Sequence, residues 1–127
     1  MITSFARALS VAVALAAGSA AAQSGNEARG ERLFNQQCKA CHTLDKDGAR
    51  TMGPNLHGLM GRKAGATEGY SSSDAMKNSG IVWDDKTLVE YLKDPKGRVP
   101  GTKMVYNGLK REAQQADMIA FLKKATQ

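Results

Sequence analysis

The sequence has little of what enzymes and nucleic-acid-binding proteins usually require. Its 127 residues include only two cysteines, two histidines, one tryptophan and three prolines. The net charge is +6, yet no run of five lysines or arginines occurs and basic residues do not alternate with aromatic ones, so we expect no binding to nucleic acid. If one of the two histidines has a structural or metal-ligating role, only the other is left to act as a catalytic acid or base, which argues against an enzyme.

The first 22 residues contain an apolar run with a basic residue before it. Arg7 precedes the run from Ala8 to Ala17, and small residues follow as far as Ala22. This order is typical of a secretory signal peptide, and the run is shorter than the ~20 residues that usually span a bilayer. We therefore predict cleavage after Ala22 and export to a bacterial periplasm, with an uncleaved membrane anchor as the alternative.

Residues 23–127 are predicted to form one domain, because they are enough for a single compact unit and contain no internal repeat. Removal of Arg7 with the signal peptide leaves 17 basic residues against 12 acidic ones. We expect this excess of positive charge to favour a partner with an acidic surface.

Cys38, Cys41 and His42 form the motif C-x-x-C-H, the most informative part of the sequence. At this spacing two thiols can bind the vinyl groups of one haem while the next imidazole ligates its iron. The alternative is a disulfide or a thioredoxin-like redox pair, but that pair belongs to a βαβ pattern and needs no histidine after it. We therefore predict one covalent haem c, which uses both cysteines of the chain.

The rest of the pattern is helical, with little sign of strands. Apolar residues recur at helical spacing from Asn26 to Cys38 and again from Met118 to Ala125. Gly30 disfavours a helix unless its missing side chain is used, so we expect the first and last helices to cross closely, with Gly30 opposite Phe121.

Shorter helices are predicted between these two. Asp84 can cap a helix that ends before Pro95, and Ser72 or Ser73 can cap a brief helical turn. Residues 43–69 are rich in glycine and are predicted to be an ordered loop that wraps around another group. The predicted fold class is therefore all-α.

A haem that carries electrons without binding small molecules needs a second axial ligand. Met104 is the best candidate, because the turn at Pro100 and Gly101 can present its thioether to the iron. The alternatives are the other thioethers and the second imidazole: Met52, Met60, Met76, Met118 and His57.

Five motifs occur in order along the chain: CKACH (38–42), GPNLHG (53–58), GIVW (80–83), YLKDPK (91–96) and PGTKM (100–104). Together they resemble the class I cytochromes c of the mitochondrial and alphaproteobacterial type, over about residues 30–126. The resemblance implies a cytochrome c fold, in which the N-terminal and C-terminal helices cross and loops enclose one covalent haem.

The resemblance also implies roles for individual residues. Cys38 and Cys41 would form the thioethers, with His42 as the proximal iron ligand and Met104 as the distal one. The Pro54 carbonyl would accept a hydrogen bond from the His42 ring, which fixes the orientation of the ring and makes it a better ligand.

Three further residues fall near the haem in this resemblance. Arg62 and Trp83 would hold the propionates, and Tyr91 would lie near the Met104 sulfur. For Trp83 a place in the apolar core is also expected, since both roles are compatible.

The implied function is one-electron transfer between redox complexes, with no bond made to a substrate. The expected partners are membrane-bound or soluble redox proteins with acidic docking surfaces: a quinol-oxidising cytochrome complex, a terminal oxidase, a reductase or a reaction centre. Basic residues around the exposed haem edge would bind these partners: Arg32, Lys96, Lys103, Lys110 and Arg111. We also expect the protein to be a monomer. Two alternatives stay open, a haem enzyme or gas-binding protein with an open iron position, and a module in which haem only holds the fold.

Overall fold

The computed structural model describes residues 24–49 and 51–127, so the predicted signal peptide lies outside it. Within these ranges the chain is helical and has no strand, which confirms the predicted all-α class; one isolated bridge joins Lys63 to Val82. None of the helices described is long and apolar enough to cross a membrane. The helices in chain order are α1 (Glu27–Gln37), α2 (Asp74–Lys77), α3 (Asp85–Lys93), α4 (Pro95–Arg98) and α5 (Glu112–Ala125).

Side chains that accept backbone hydrogen bonds determine where three of these helices begin. The Asn26 side chain accepts from the Arg29 amide at the start of α1 (2.9 Å). Ser73 rather than Ser72 caps α2. Asp84 caps α3 and forms a reciprocal capping box with Thr87, so the predicted caps at 26 and 84 are confirmed.

Pro95 both ends one helix and begins the next. The sequence predicts that it stops α3, and α3 does end at Lys93. Because proline suits the first position of a helix, it also opens α4, whose cap is Asp94 accepting from the Gly97 amide (3.1 Å). This fourth short helix is a feature that the sequence pattern did not predict.

Helices α1 and α5 cross at Gly30. A Cβ atom at Gly30 would lie 2.0 Å from the Asp117 carbonyl oxygen and 2.7 Å from the Phe121 Cβ, so only glycine permits this crossing. The rings of Phe34 and Phe121 pack beside it with centroids 5.5 Å apart. The predicted pairing of Gly30 with Phe121 is confirmed, although the backbone of Asp117 is the closer contact.

The Asp117 carboxylate fastens the beginning of α1 to α5. It accepts hydrogen bonds from the Asn26 amide (2.7 Å) and from Nε and Nη2 of Arg29 (2.9 and 3.2 Å). The Arg29 guanidinium and the Asn26 amide lower the pKa of Asp117 below its ordinary value. The Asp117 carboxylate therefore provides the acceptor for the Asn26 amide at the helix start and also neutralises the Arg29 guanidinium.

The glycine-rich loop is ordered where it is described, as predicted. The Gly58 amide donates to the Thr126 carbonyl at the end of α5 (2.6 Å), and the Ala64 amide donates to the Ile81 carbonyl (2.8 Å). The loop is thus tied both to the last helix and to the segment before α3, and it closes one side of the core.

We predict that Gly30→Ala destabilises the protein by about 1–3 kcal/mol, because the added methyl group meets a backbone carbonyl that cannot move aside. Chemical denaturation of the haem-loaded protein measures this change. Asn35→Ala, at an exposed position on the same helix, should change the free energy of unfolding by less than about 0.5 kcal/mol. If Gly30→Ala were instead stabilising, as helix propensity alone would make it, the close crossing would be wrong.

A second prediction concerns acid sensitivity. Since the pKa of Asp117 is lowered in the folded protein, its carboxylate stabilises the fold above the ordinary aspartate pKa of 3.8, and this contribution is lost as the pH falls through the lowered value. The difference in unfolding free energy between the parent and Asp117→Asn should therefore be constant near neutral pH and shrink below about pH 4. Glu31→Gln, which removes an exposed carboxylate from α1, should have little effect at neutral pH. A gap between parent and Asp117→Asn that grows in acid would contradict the assignment.

Candidate functional site

A cavity of about 260 Å³ lies between α1, α3, α5 and the loops that connect them. Its wall is mainly apolar and includes Leu56, Leu59, Leu88 and Leu122. The structure brings all eight residues of the sequence-predicted site to this one cavity: Cys38, Cys41, His42, Pro54, Arg62, Trp83, Tyr91 and Met104.

The two thiols enter the cavity from the turn that ends α1. The amides of Cys41 and His42 both donate to the Cys38 carbonyl (3.0 Å each), which folds the motif into a tight turn. Neither thiol is in a disulfide. Burial raises the pKa of Cys38 to about 11, whereas a thioredoxin-like pair requires a lowered thiol pKa, so Cys38 does not suit thiol–disulfide exchange.

His42 is held in one orientation by the loop after it. Its Nδ1 lies 2.8 Å from the Pro54 carbonyl oxygen, and because a carbonyl can only accept, Nδ1 carries the proton and Nε2 is left to bind a metal. Burial lowers the pKa of His42, which keeps the imidazole neutral at neutral pH, the form that ligates iron.

Gly53 is a site residue that the sequence analysis missed. A Cβ atom there would lie 2.6 Å from Cε1 of His42 and 2.8 Å from the Cys41 carbonyl oxygen. Only glycine lets the chain pass this close to the ring and still present the Pro54 carbonyl to it. The glycine that opens the GPNLHG motif was the available clue.

Among the methionines, Met104 and Met76 line the cavity while partly buried. Met52 also borders the cavity but is 79% exposed, and it precedes Gly53, which lies against the His42 ring. Met118 also lines the cavity, but it is 1% exposed and packs in the core as part of α5, and Met60 is not part of the cavity wall. The candidates for a distal thioether ligand therefore narrow to Met104 and Met76.

The backbone of His57 is held by its neighbours in the glycine-rich loop. Its amide donates to the Asn55 side chain (2.7 Å), its carbonyl accepts from Arg62 Nη1 (2.9 Å), and it is not part of the cavity wall. The structure therefore offers no support for His57 as an iron ligand.

Two groups at the cavity suit a negatively charged ligand. The Arg62 guanidinium donates to backbone carbonyls of Asn55 and His57 and forms no ion pair within the described ranges. Burial lowers its pKa, but a guanidinium stays charged at neutral pH. The Trp83 indole N–H makes no hydrogen bond to another described residue, so both groups can serve carboxylates of a bound molecule.

Tyr91 connects α3 to the segment that carries Met104. Its hydroxyl lies 2.6 Å from Oγ1 of Thr102, and its ring packs 5.3 Å from that of Trp83. Burial raises the pKa of Tyr91, so its hydroxyl stays protonated at neutral pH. The sequence analysis expected Tyr91 near Met104. It missed Thr102, which pairs with Tyr91 and lies in the same segment as Met104.

The residues present fit an iron porphyrin. Two thiols, an oriented neutral imidazole and a thioether line an apolar cavity. The Arg62 guanidinium and the Trp83 N–H can bind the acid side chains of the porphyrin. These are the soft and nitrogen donors that haem iron accepts and the attachment groups that a covalent haem needs.

Comparisons with known proteins agree with this arrangement. The model of the family described as Cytochrome c matches residues 27–126. Similar proteins named cytochrome c occur in Gibberella zeae, at 52% identity over 80% of this chain and 96% of the relative, and in Theileria parva, at 54% over 80% and 88%. Another, from Nigella damascena, is 47% identical over 83% of this chain and 95% of the relative. The chain therefore belongs to the cytochrome c family, whose members are electron carriers that bind a single covalent haem c.

Proposed function

We propose that this protein is a one-electron carrier in which Cys38 and Cys41 would hold the haem by thioether bonds and His42 and Met104 would ligate its iron. The observation that carries the proposal is that these four side chains line one cavity and that Pro54 fixes the imidazole among them. When bound, haem c supplies a one-electron change between ferric and ferrous iron.

The residues around the cavity support this role by limiting rearrangement. The Pro54 carbonyl keeps the proton on Nδ1 of His42 and increases the electron donation of the ring. The thioether of Met104, a soft ligand, favours the ferrous state and so raises the potential. We assign Arg62 and Trp83 to the propionates and Tyr91 to the wall next to the distal ligand.

A carrier is favoured over a haem enzyme or a gas-binding protein. Those functions need an open iron position and a distal acid-base group. The second imidazole, His57, is not part of the cavity wall, whereas the thioethers of Met104 and Met76 lie in it, partly buried. The distal side is thus suited to close the iron and not to activate a substrate.

Exposed basic residues support docking to acidic redox partners. Lys103 and Lys110 are exposed, and each donates to a backbone carbonyl, of Ser71 (2.7 Å) and Lys93 (2.5 Å), which holds the ammonium groups in place without neutralising them. We propose a monomer that binds transiently to such partners, among them a quinol-oxidising complex, an oxidase, a reductase or a reaction centre. Binding through exposed charges weakens as salt is added.

We also propose that residues 1–22 are a signal peptide and that residues 23–127 work in a bacterial periplasm. This rests on the pattern of Arg7, the apolar run and the small residues before Gln23. The relatives reported above come from a fungus, a protist and a plant, and their names give no compartment, so they lend the periplasmic location no support.

We predict that Met104→Ala abolishes the weak long-wavelength charge-transfer band of the ferric protein, because this band requires sulfur on the iron. The variant should also bind carbon monoxide when reduced and have a lower potential. Optical spectra and a redox titration of the purified protein measure all three.

Met76→Ala is the matched control, since it removes the other partly buried thioether of the same cavity. It should keep the band. Loss of the band in Met76→Ala and its retention in Met104→Ala would make Met76 the iron ligand in place of Met104. A parent protein that lacks the band and binds peroxide would favour an enzyme.

The export proposal predicts that the full-length chain, expressed in a bacterium able to attach haem c, is found in the periplasmic fraction with Gln23 as its first residue. N-terminal sequencing and intact mass identify this product. Ala22→Lys should block cleavage by removing the small residue at the cut, whereas Ala14→Leu, within the apolar run, should not. A mature protein that keeps residues 1–22 would refute cleavage and leave the anchor alternative.

A further inference from the structure

The segment that carries Met104 has few backbone hydrogen bonds of its own. It joins α4 to α5, and at its ends the Thr102 amide donates to the Val99 carbonyl (3.0 Å) and the Leu109 amide donates to the Leu92 carbonyl (2.7 Å). Between these two points, residues 103–108 form no backbone-to-backbone hydrogen bond with any described residue. The position of Met104 therefore depends on side-chain contacts of its neighbours.

Two of these contacts lie on the N-terminal side of Met104. Lys103 Nζ donates to the Ser71 carbonyl (2.7 Å), and Thr102 pairs with the Tyr91 hydroxyl (2.6 Å). Both connect the segment to parts of the chain that precede or form α3. Neither connects it to α1, which leads into the C-x-x-C-H motif.

The contact on the C-terminal side is made by Tyr106. Its hydroxyl donates to Oε1 of Gln37 at 2.5 Å, across 69 positions of sequence. Within the described chain this is the one side-chain hydrogen bond between residues 100–111 and α1. Tyr106 is partly buried, and Val105 before it is 90% exposed, so the phenol is the inward-facing member of the pair that follows Met104.

The side chain of Gln37 is exposed, but its backbone belongs to a helix that is fixed elsewhere. Gln37 is the last residue of α1 and directly precedes Cys38, and α1 is fixed to α5 by the crossing at Gly30. Gln37 and Tyr106 both line the cavity that also contains Met104. Their hydrogen bond therefore connects the end of α1, next to Cys38, to the segment that carries Met104.

We infer that Tyr106 is a positioning residue that holds Met104 toward the iron through its hydrogen bond to Gln37. The inference rests on the proposed function, which makes Met104 the distal ligand. Opening of the segment, which must precede replacement of Met104 by another ligand, then requires this hydrogen bond to break. The bond joins two neutral groups, so added salt should affect it less than it affects a surface ion pair.

The test measures how fast imidazole binds to the ferric haem-loaded protein. At saturating imidazole the rate is that of segment opening, because the thioether must leave first. Tyr106→Phe keeps the ring and removes only the hydroxyl, so opening should become roughly 2- to 10-fold faster, the range that one neutral hydrogen bond supports. Gln37→Met removes the acceptor and should have the same effect, and the double variant should be no faster than either single one.

Thr126→Val is the matched control. It removes a hydroxyl that donates to the Leu122 carbonyl (2.7 Å) at the end of α5, far in sequence from the Met104 segment. This variant should lower global stability and leave the opening rate unchanged. An equal acceleration in Thr126→Val would mean that imidazole enters through global unfolding, and this would overturn the inference.

The remaining outcomes distinguish a failure of this inference from a failure of the proposed function. A parent with the sulfur charge-transfer band and a Tyr106→Phe variant that opens at the parental rate would overturn the role of Tyr106 alone. A parent without the band would overturn Met104 as the ligand, whatever the rates. Additive effects of Tyr106→Phe and Gln37→Met would show that the two side chains act separately, which also refutes the hydrogen-bonded pair.

Discussion

The close crossing of α1 and α5 at Gly30 is the constraint on which the rest of the structure depends. Helix α1 leads directly into the cysteines of the cavity, and α5 contributes Met118 and Leu122 to its wall. The crossing works at this distance because Gly30 lies against the Asp117 carbonyl, while the carboxylate of the same residue binds the first turn of α1. One residue of α5 thus contacts α1 both at the crossing and at its first turn.

Part of the cavity wall is made of segments that lack regular secondary structure, and each of these is fixed by a few hydrogen bonds. Gly58 joins the glycine-rich loop to the end of α5, Pro54 presents its carbonyl to His42, and Thr102 binds Tyr91. Apolar packing supplies most of the burial, but it is not directional. The hydrogen bonds therefore decide which way the imidazole and the segment with Met104 face.

Local signals in the sequence were enough to predict four of the five described helices and their order, all except α4. Asn26 and Asp84 are capping residues whose partners lie three positions away, and the motif at 38–42 is contiguous. Features that depend on distant partners could not be predicted in this way. The contact of Asp117 with Asn26 spans 91 positions and that of Tyr106 with Gln37 spans 69, and Gly53 matters only because the His42 ring is folded against it. The site residues named from the motifs do meet at one cavity, while their roles toward iron stay predictions.

The pairing of α1 with α5 also has a consequence for biosynthesis. A helix of 11 residues is rarely stable alone in water, and α5, the partner of α1, begins only at Glu112. During synthesis, α1 lacks this partner until α5 has also left the ribosome. The chain therefore stays open over that period, with Cys38 and Cys41 accessible in an extended polypeptide and not yet enclosed by the loops that later surround them.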